Sequence, residues 1–167
     1  MVHRVAASGK AVAGVVGGGR FTVPSARHEL DIEVAPSLLM SVITDFDRYP
    51  HFLPEIEACE IVRSSDDEWD VAFAIKVVKR IRYTLRLRKT SPLQVRWELV
   101  EGAFKVNSGG WDLTPITDGK HTRALYFIDV QVGMFVPGSI MRSLVGRTLP
   151  ETVQRFKEEA ERVAATS

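Results

Sequence analysis

From Gly138 to Ala165 the apolar residues Met141, Val145, Leu149, Val153, Phe156, Ala160 and Val163 recur at steps of three and four. That period gathers them on about a third of a helix circumference, the width of a core-facing stripe. The opposite face carries Arg155, Lys157, Glu158, Glu159, Glu161 and Arg162. Such a helix would run roughly 40 Å at about 1.5 Å per residue, enough to cross a small domain end to end. Whatever precedes it must therefore offer one broad apolar surface. Thr148-Leu149-Pro150-Glu151 has a capping-box pattern with proline in its first turn. Pro150 either kinks one helix or starts a second, and a kink near the middle is expected. Gly138, Ser139, Ser143 and Gly146 alternate with Ile140, Met141, Leu144 and Val145. Small residues beside flexible Met and Leu suit either a roof over an apolar pocket or close helix–sheet packing.

The surface is supplied by strands. Leu30, Ile32 and Val34 alternate with Glu29, Asp31 and Glu33, a half-buried strand from His28. Further strands are expected over Glu57–Ser64, Trp69–Val78, Arg80–Lys89, Gln94–Glu101, Phe104–Leu113 and Thr122–Val132, punctuated by the turns Ser65–Glu68, Thr90-Ser91-Pro92 and Asp118-Gly119. Arg80–Lys89 sets Ile81, Tyr83, Leu85 and Leu87 against Arg80, Arg82, Thr84, Arg86 and Arg88. A hairpin centred on Pro92 places Leu85 opposite Leu99, Leu87 opposite Trp97 and Arg86 opposite Glu98, pairing like faces and opposite charges. Ser108-Gly109-Gly110 reads as a bulge or bend.

Between the first two strands, Ala35-Pro36-Ser37 starts a helix with Leu38, Leu39, Val42, Ile43 and Phe46 on its buried face. In DFDRYPHFLP at 45–54, Pro50 and Pro54 forbid a regular helix, so a short turn must carry Tyr49, Phe52 and Leu53 to the core. The order predicts an α+β domain over residues 28–167. It is a curved antiparallel sheet of about seven strands wrapped around a long C-terminal helix, with two short helices after the first strand. Residues 1–27, rich in Gly, Ala and Val and free of acidic side chains, read as a poorly ordered tail.

DFDRYPHFLPEIEACEIV at 45–62 and GGWDLTPI…ALYFIDVQVGMFVP at 109–137 resemble the START-like helix-grip superfamily, in its polyketide cyclase/dehydrase and coenzyme-Q-binding START-domain branch. The resemblance covers residues 28 to 165 and is most specific at Tyr49-Pro50-His51-Phe52-Leu53-Pro54. It implies a deep apolar cavity between sheet and C-terminal helix that holds a quinone, lipid or polyketide. Many quinone-binding members carry tryptophan after the second proline; this chain has Glu55, which leaves the ligand's identity open.

A cavity of that kind needs inward aromatic and aliphatic side chains and a few polar groups. The candidates are Phe52, Phe73, Tyr83, Trp97, Phe104, Trp111, Tyr126, Met141 and Leu144. Each would also serve as plain core. Tyr83 and Tyr126 discriminate best, because a buried hydroxyl must find a partner in either the ligand or the backbone. No catalytic residue, metal ligand or cofactor site is expected. The four histidines avoid the inward strand positions, and Cys59 lies mid-strand with no histidine near it in sequence. The expected function is binding or transport of an apolar small molecule, by a carrier more than by an enzyme. An aromatic polyketide cyclase/dehydrase, working by enforced orientation, is the alternative.

A third reading uses the arginine face. Arg80, Arg82, Arg86 and Arg88 could meet ribosomal RNA or an anionic membrane surface. A paired face would need Glu98, Glu101 and the first strand's Glu29, Asp31 and Glu33 as counter-charges. A net charge of +1 gives no general attraction to nucleic acid, so specific DNA binding is not expected. No apolar run reaches the roughly 18 residues of a membrane span, and a single cysteine suits a reducing compartment. A cytoplasmic location, at most peripheral to a membrane, is expected.

Overall fold

The computed structural model describes residues 25–77, 79–133 and 137–167, with the side chains of Met141, Leu144 and Val145 excepted. The expected tail falls almost wholly outside the described residues. Seven strands, β1 Ser25–Ile32, β2 Ile56–Ser65, β3 Glu68–Lys76, β4 Arg80–Ser91, β5 Gln94–Gly102, β6 Phe104–Ile116 and β7 His121–Val132, form one antiparallel sheet. Its order is β1-β7-β6-β5-β4-β3-β2, so β2 to β7 meander and β1 returns to pair with β7. The alternation predicted at His28 starts three residues earlier, at Ser25.

Two short helical pieces link β1 to β2. In α1, Pro36–Ile43, Ala35 is extended and Pro36 occupies the first turn, where a missing N–H costs nothing. A 3-10 turn at Phe46–Arg48 then runs into α2, Tyr49–Phe52, which carries Pro50 in its own first turn. This brings Tyr49 and Leu53 into the core beside Phe46.

The C-terminal helix is interrupted, but not by a kink at Pro150. α3, Gly138–Ser143, passes into a single π-helical stretch, Leu144–Thr148, and then into α4, Leu149–Ala165, with Pro150 in its first turn. Proline lacks an N–H, and its ring would collide with the carbonyl four residues back in a regular α-helix. Wider winding before it relieves both problems. The capping box is not formed. Thr148 is itself helical and makes no side-chain cap, while the Thr152 hydroxyl bonds its carbonyl at 2.8 Å.

α4 is fastened at one end of the sheet. Val153, Phe156 and Ala160 are buried beneath it. Lys157 Nζ donates to the Asp31 carbonyl at 2.9 Å, and the Glu33 N–H donates to Glu161 at 3.2 Å. Buried Glu159 holds Arg162 at 2.8 Å and Arg48 at 3.3 Å, tying α4 to the loop before α2. The helix is thus clamped to β1 and α2 by its second half, while its first turns lie over the centre of the sheet.

The β4–β5 hairpin has the expected register: Leu85 faces Leu99, Leu87 faces Trp97 and Arg86 faces Glu98. The charges choose other partners. Arg86 grips Asp70 of β3 at 2.8 Å, and Glu98 takes Arg88 at 3.2 Å. The expected irregularity in β6 is displaced too. Gly109 and Gly110 pair regularly with β5 and β7, and the register shift falls between Phe104 and Val106.

Candidate functional site

The inner face of β3 to β7 and the start of α4 enclose a hollow of about 140 Å³. Its walls are aliphatic and aromatic. Phe73 stacks on Tyr83 with centroids 5.3 Å apart, and Phe104 meets Tyr83 edge-on at 5.0 Å. Opposite them, Tyr126 lies 4.9 Å from Trp111 and 5.5 Å from Trp97. Phe156 of α4 closes the ring against Trp111 at 5.2 Å and Tyr49 at 5.3 Å. Thr148, Leu149 and Thr152 of the helix and Glu55 before β2 also line the space.

Three tyrosines border this hollow, and they are not equivalent. The Tyr49 hydroxyl donates to the carbonyl of Ile43, one of the end-of-helix carbonyls that α1 leaves without a partner. Among the described residues, the hydroxyls of Tyr83 and Tyr126 have no hydrogen-bond partner, yet both side chains line the hollow. Burial pushes both hydroxyls well above the ordinary tyrosine value, and each remains a neutral donor. Among the other polar wall groups, beside Glu55, Thr148 and Thr152, is buried Asn107, whose Oδ1 accepts the Trp97 indole N–H at 3.2 Å.

Of the side chains singled out in the sequence, Phe73, Tyr83, Trp97, Phe104, Trp111 and Tyr126 come together around the hollow. Phe52 does not line it. It packs edge-on against Phe156 at 5.1 Å and Tyr49 at 5.8 Å, toward the outer surface. The side chains of Met141 and Leu144 lie outside the described residues. Asn107 escaped the sequence reading because strict alternation from Phe104 points it outward. The bulge at Phe104–Val106 reverses the parity, so Asn107, Gly109, Trp111 and Leu113 face inward. Glu55, Tyr49 and Phe156 were visible as motif or stripe residues, but nothing in the sequence placed them at one space.

His51 is exposed on α2 beside Arg155, in a surface groove apart from the hollow. Cys59 faces Phe73 across β2 and β3. Burial, with a smaller contribution from Asp47, pushes its thiol up to about 12, where it is a poor nucleophile.

The arginines of β4 lie on the opposite face of the sheet, mostly against carboxylates. Arg80 pairs with Glu57 at 2.6 Å, Arg86 with Asp70 at 2.8 Å, and Arg88 with Glu68 at 2.5 Å. Hydrogen bonds from Arg86 and Arg63 hold the Asp70 carboxyl far below the usual carboxylate range. Among the described residues Arg82 makes no ion pair; it sits beside Glu60 and Glu101 in a shallow outer groove. The expected counter-charges were wrong in part. β1 lies at the far edge of the sheet, so its Asp31 pairs with Arg123 of β7 at 2.9 Å, and the arginine face is neutralised from β2, β3 and β5. Among the described residues, no helix is long and apolar enough to cross a membrane.

Known proteins share this architecture. A Streptomyces sp. R1128 aromatase/cyclase, Zhui, superposes with a TM-score of 0.73 at 17% identity, covering 83% of this chain and 93% of its own. A START superfamily protein from Mycobacterium smegmatis gives 0.71 at 18% identity, covering 83% and 98%. Identities that low speak for the fold, which is the helix-grip arrangement expected from the sequence. In sequence, the ribosome association toxin RatA of Escherichia coli (strain K12) is 30% identical over 80 residues, 47% of this chain and 51% of that protein. The chain therefore spans about half the length of the curated relatives it matches. The family model for polyketide cyclase / dehydrase and lipid transport matches residues 32–157. With most of its length inside that match, the chain belongs to the polyketide cyclase/dehydrase and lipid transport family.

Proposed function

We propose that the protein binds and carries an apolar small molecule, a quinone, lipid or polyketide, in the hollow between sheet and α4. The observation that carries this reading is the pair of hydroxyls, Tyr83 and Tyr126, that have no partner among the described residues in a mostly apolar wall. Neither hydroxyl is fully sealed, since Arg155 Nε is the one buried side-chain polar atom without a partner among the described residues, so both remain open to a partner that enters the hollow. A core that merely needed filling would do as well with phenylalanine at both positions. A ligand carbonyl or hydroxyl held between them would accept from both. The open volume of about 140 Å³ accommodates roughly one aromatic ring. A larger ligand would place one ring inside and continue past Glu55 and Thr152.

Native mass spectrometry and solvent extraction of the purified protein test this directly. A bound quinone, lipid or polyketide is expected, its affinity falling about tenfold in Tyr83→Phe and in Tyr126→Phe. Repeatedly clean extracts, or unchanged affinity in both variants, would refute it.

A cyclase/dehydrase reading draws on the same two donors, which could polarise a ketone of a folded polyketide. Turnover of a poly-β-ketone that both variants abolish would favour it over a carrier. A ribosome-associated role draws on the RatA similarity, but most of the charge on the β4 face is already engaged by carboxylates. Charge reversal at Arg82 and Arg86 should remove salt-sensitive co-sedimentation with ribosomes if that role is real.

A further inference from the structure

The proposed cavity has an electrical asymmetry that selects among apolar ligands. Its lining contains no lysine, arginine or histidine, and Glu55 is its one acidic side chain among the described residues. Glu55 stands at the boundary between Pro54 and β2, half-buried, with its backbone carbonyl fixed by the Lys76 N–H at 2.8 Å. Among the described residues its carboxylate makes no ion pair and accepts no hydrogen bond. Elsewhere on this molecule most carboxylates beside an arginine are taken. Asp31, Glu57, Glu68, Asp70 and Glu159 all have partners within hydrogen-bonding range. Even Arg155, which lines the adjoining surface groove with Pro54, makes no pair with Glu55.

The aromatic wall points the same way. Tyr83, Trp97, Trp111 and Tyr126 all line the space, and an aromatic ring attracts a cation over its face and repels an anion there. A ligand carboxylate or phosphate entering here would meet Glu55 with no compensating positive charge, in a setting where water screens poorly. A ligand amine would meet both a carboxylate and aromatic rings.

We propose that this site takes an aromatic ligand bearing a basic nitrogen, with the ring among Tyr83, Trp97 and Tyr126 and the nitrogen at Glu55, and that it rejects carboxylate and phosphate ligands. The inference rests on this space being a ligand cavity, and it assigns the charge of the ligand's polar end where the cavity reading alone leaves that open. Three one-ring probes separate the two: benzylamine, benzyl alcohol and benzoic acid, titrated against the protein by calorimetry at low salt. The amine should bind about tenfold more tightly than the alcohol, and the acid at least tenfold more weakly than the alcohol. Glu55→Gln should bring the amine and alcohol affinities within about twofold of each other. If the alcohol binds but the amine gains nothing, or keeps its full advantage in Glu55→Gln, the charge selection is overturned and the cavity reading stands. If no probe binds, both fall.

Discussion

The three tyrosines allow a sharp test, because identical substitutions should have different consequences at positions that share one wall. Tyr49→Phe removes a buried hydrogen bond and strands the Ile43 carbonyl at the end of α1. Net loss of such a bond costs about 1 kcal/mol, and an orphaned buried acceptor adds to that, so a loss of about 1–2 kcal/mol is expected. At roughly 2–4 °C per kcal/mol for a domain of this size, the melting temperature should fall by about 3–6 °C. Tyr83→Phe and Tyr126→Phe remove hydroxyls that bond to no described residue. Ligand-free protein should therefore change by less than about 0.5 kcal/mol, because neither hydroxyl is fully sealed from water and the ring packing stays as it was. Urea denaturation of delipidated protein measures all three. Addition of the extracted ligand should then stabilise wild type more than either of the latter variants. A loss above about 1 kcal/mol in unliganded Tyr83→Phe or Tyr126→Phe would show that the hydroxyl has a structural partner, and the argument from unmet donors would fail.

Two further predictions concern pH. The chain has 3 tyrosines, all raised above the ordinary value by burial. A folded value above the unfolded one gives stability that is complete below about pH 10 and lost as pH rises toward the folded values. Tyrosinate absorbance should thus appear only together with alkaline unfolding, and Cys59, at about 12, should resist thiol reagents at pH 8 until then; independent titration of a tyrosine in folded protein would contradict the burial. At the acid end, Asp70, Glu68 and Glu57 are all lowered by arginine partners. Their stabilisation is present above about pH 4 and lost as pH falls below it. Asp70→Asn should cost about 1–2 kcal/mol at pH 7 and clearly less at pH 2, read by urea midpoints at the two pH values; equal costs at both would remove the ion pairs from the account.

Most of the architecture could be read from periodicity, because burial on one face forces it. A one-residue slip in the β4–β5 hairpin would have turned Leu85, Leu87, Leu99 and Trp97 to solvent, so register followed from the pattern alone. Ionic partners could not be read the same way. Arg86 faces Glu98 across β5 but bonds Asp70 across β3, and a side chain that long chooses between strands by which carboxylate is better desolvated. Asn107 was hidden by the bulge two residues earlier, a feature that shifts parity without leaving any residue type as its mark. The π-helical turn before Pro150 was hidden similarly: the sequence announces that a regular helix must fail there, not which winding replaces it.

The hollow itself owes its place to side chains that are missing. Gly109 faces inward opposite Trp97, and a Cβ there would lie 2.6 Å from the indole and 2.2 Å from the Phe127 carbonyl. The indole thus occupies the volume that any other residue at position 109 would need, and it lies down along β6, where Asn107 holds its N–H. At the end of β5, Gly102 has φ of +129°, and a Cβ there would stand 2.5 Å from the Tyr83 Cα. Glycine at that point lets the strand end close tightly against Tyr83, a residue that lines the hollow. Trp97 is therefore set against β6 by a position that admits no side chain, and the end of β5 crosses Tyr83 at a second such position. Among the described residues the Tyr83 and Tyr126 hydroxyls have no partner, so a ligand whose polar group reaches them would meet donors that the sheet's own groups leave open.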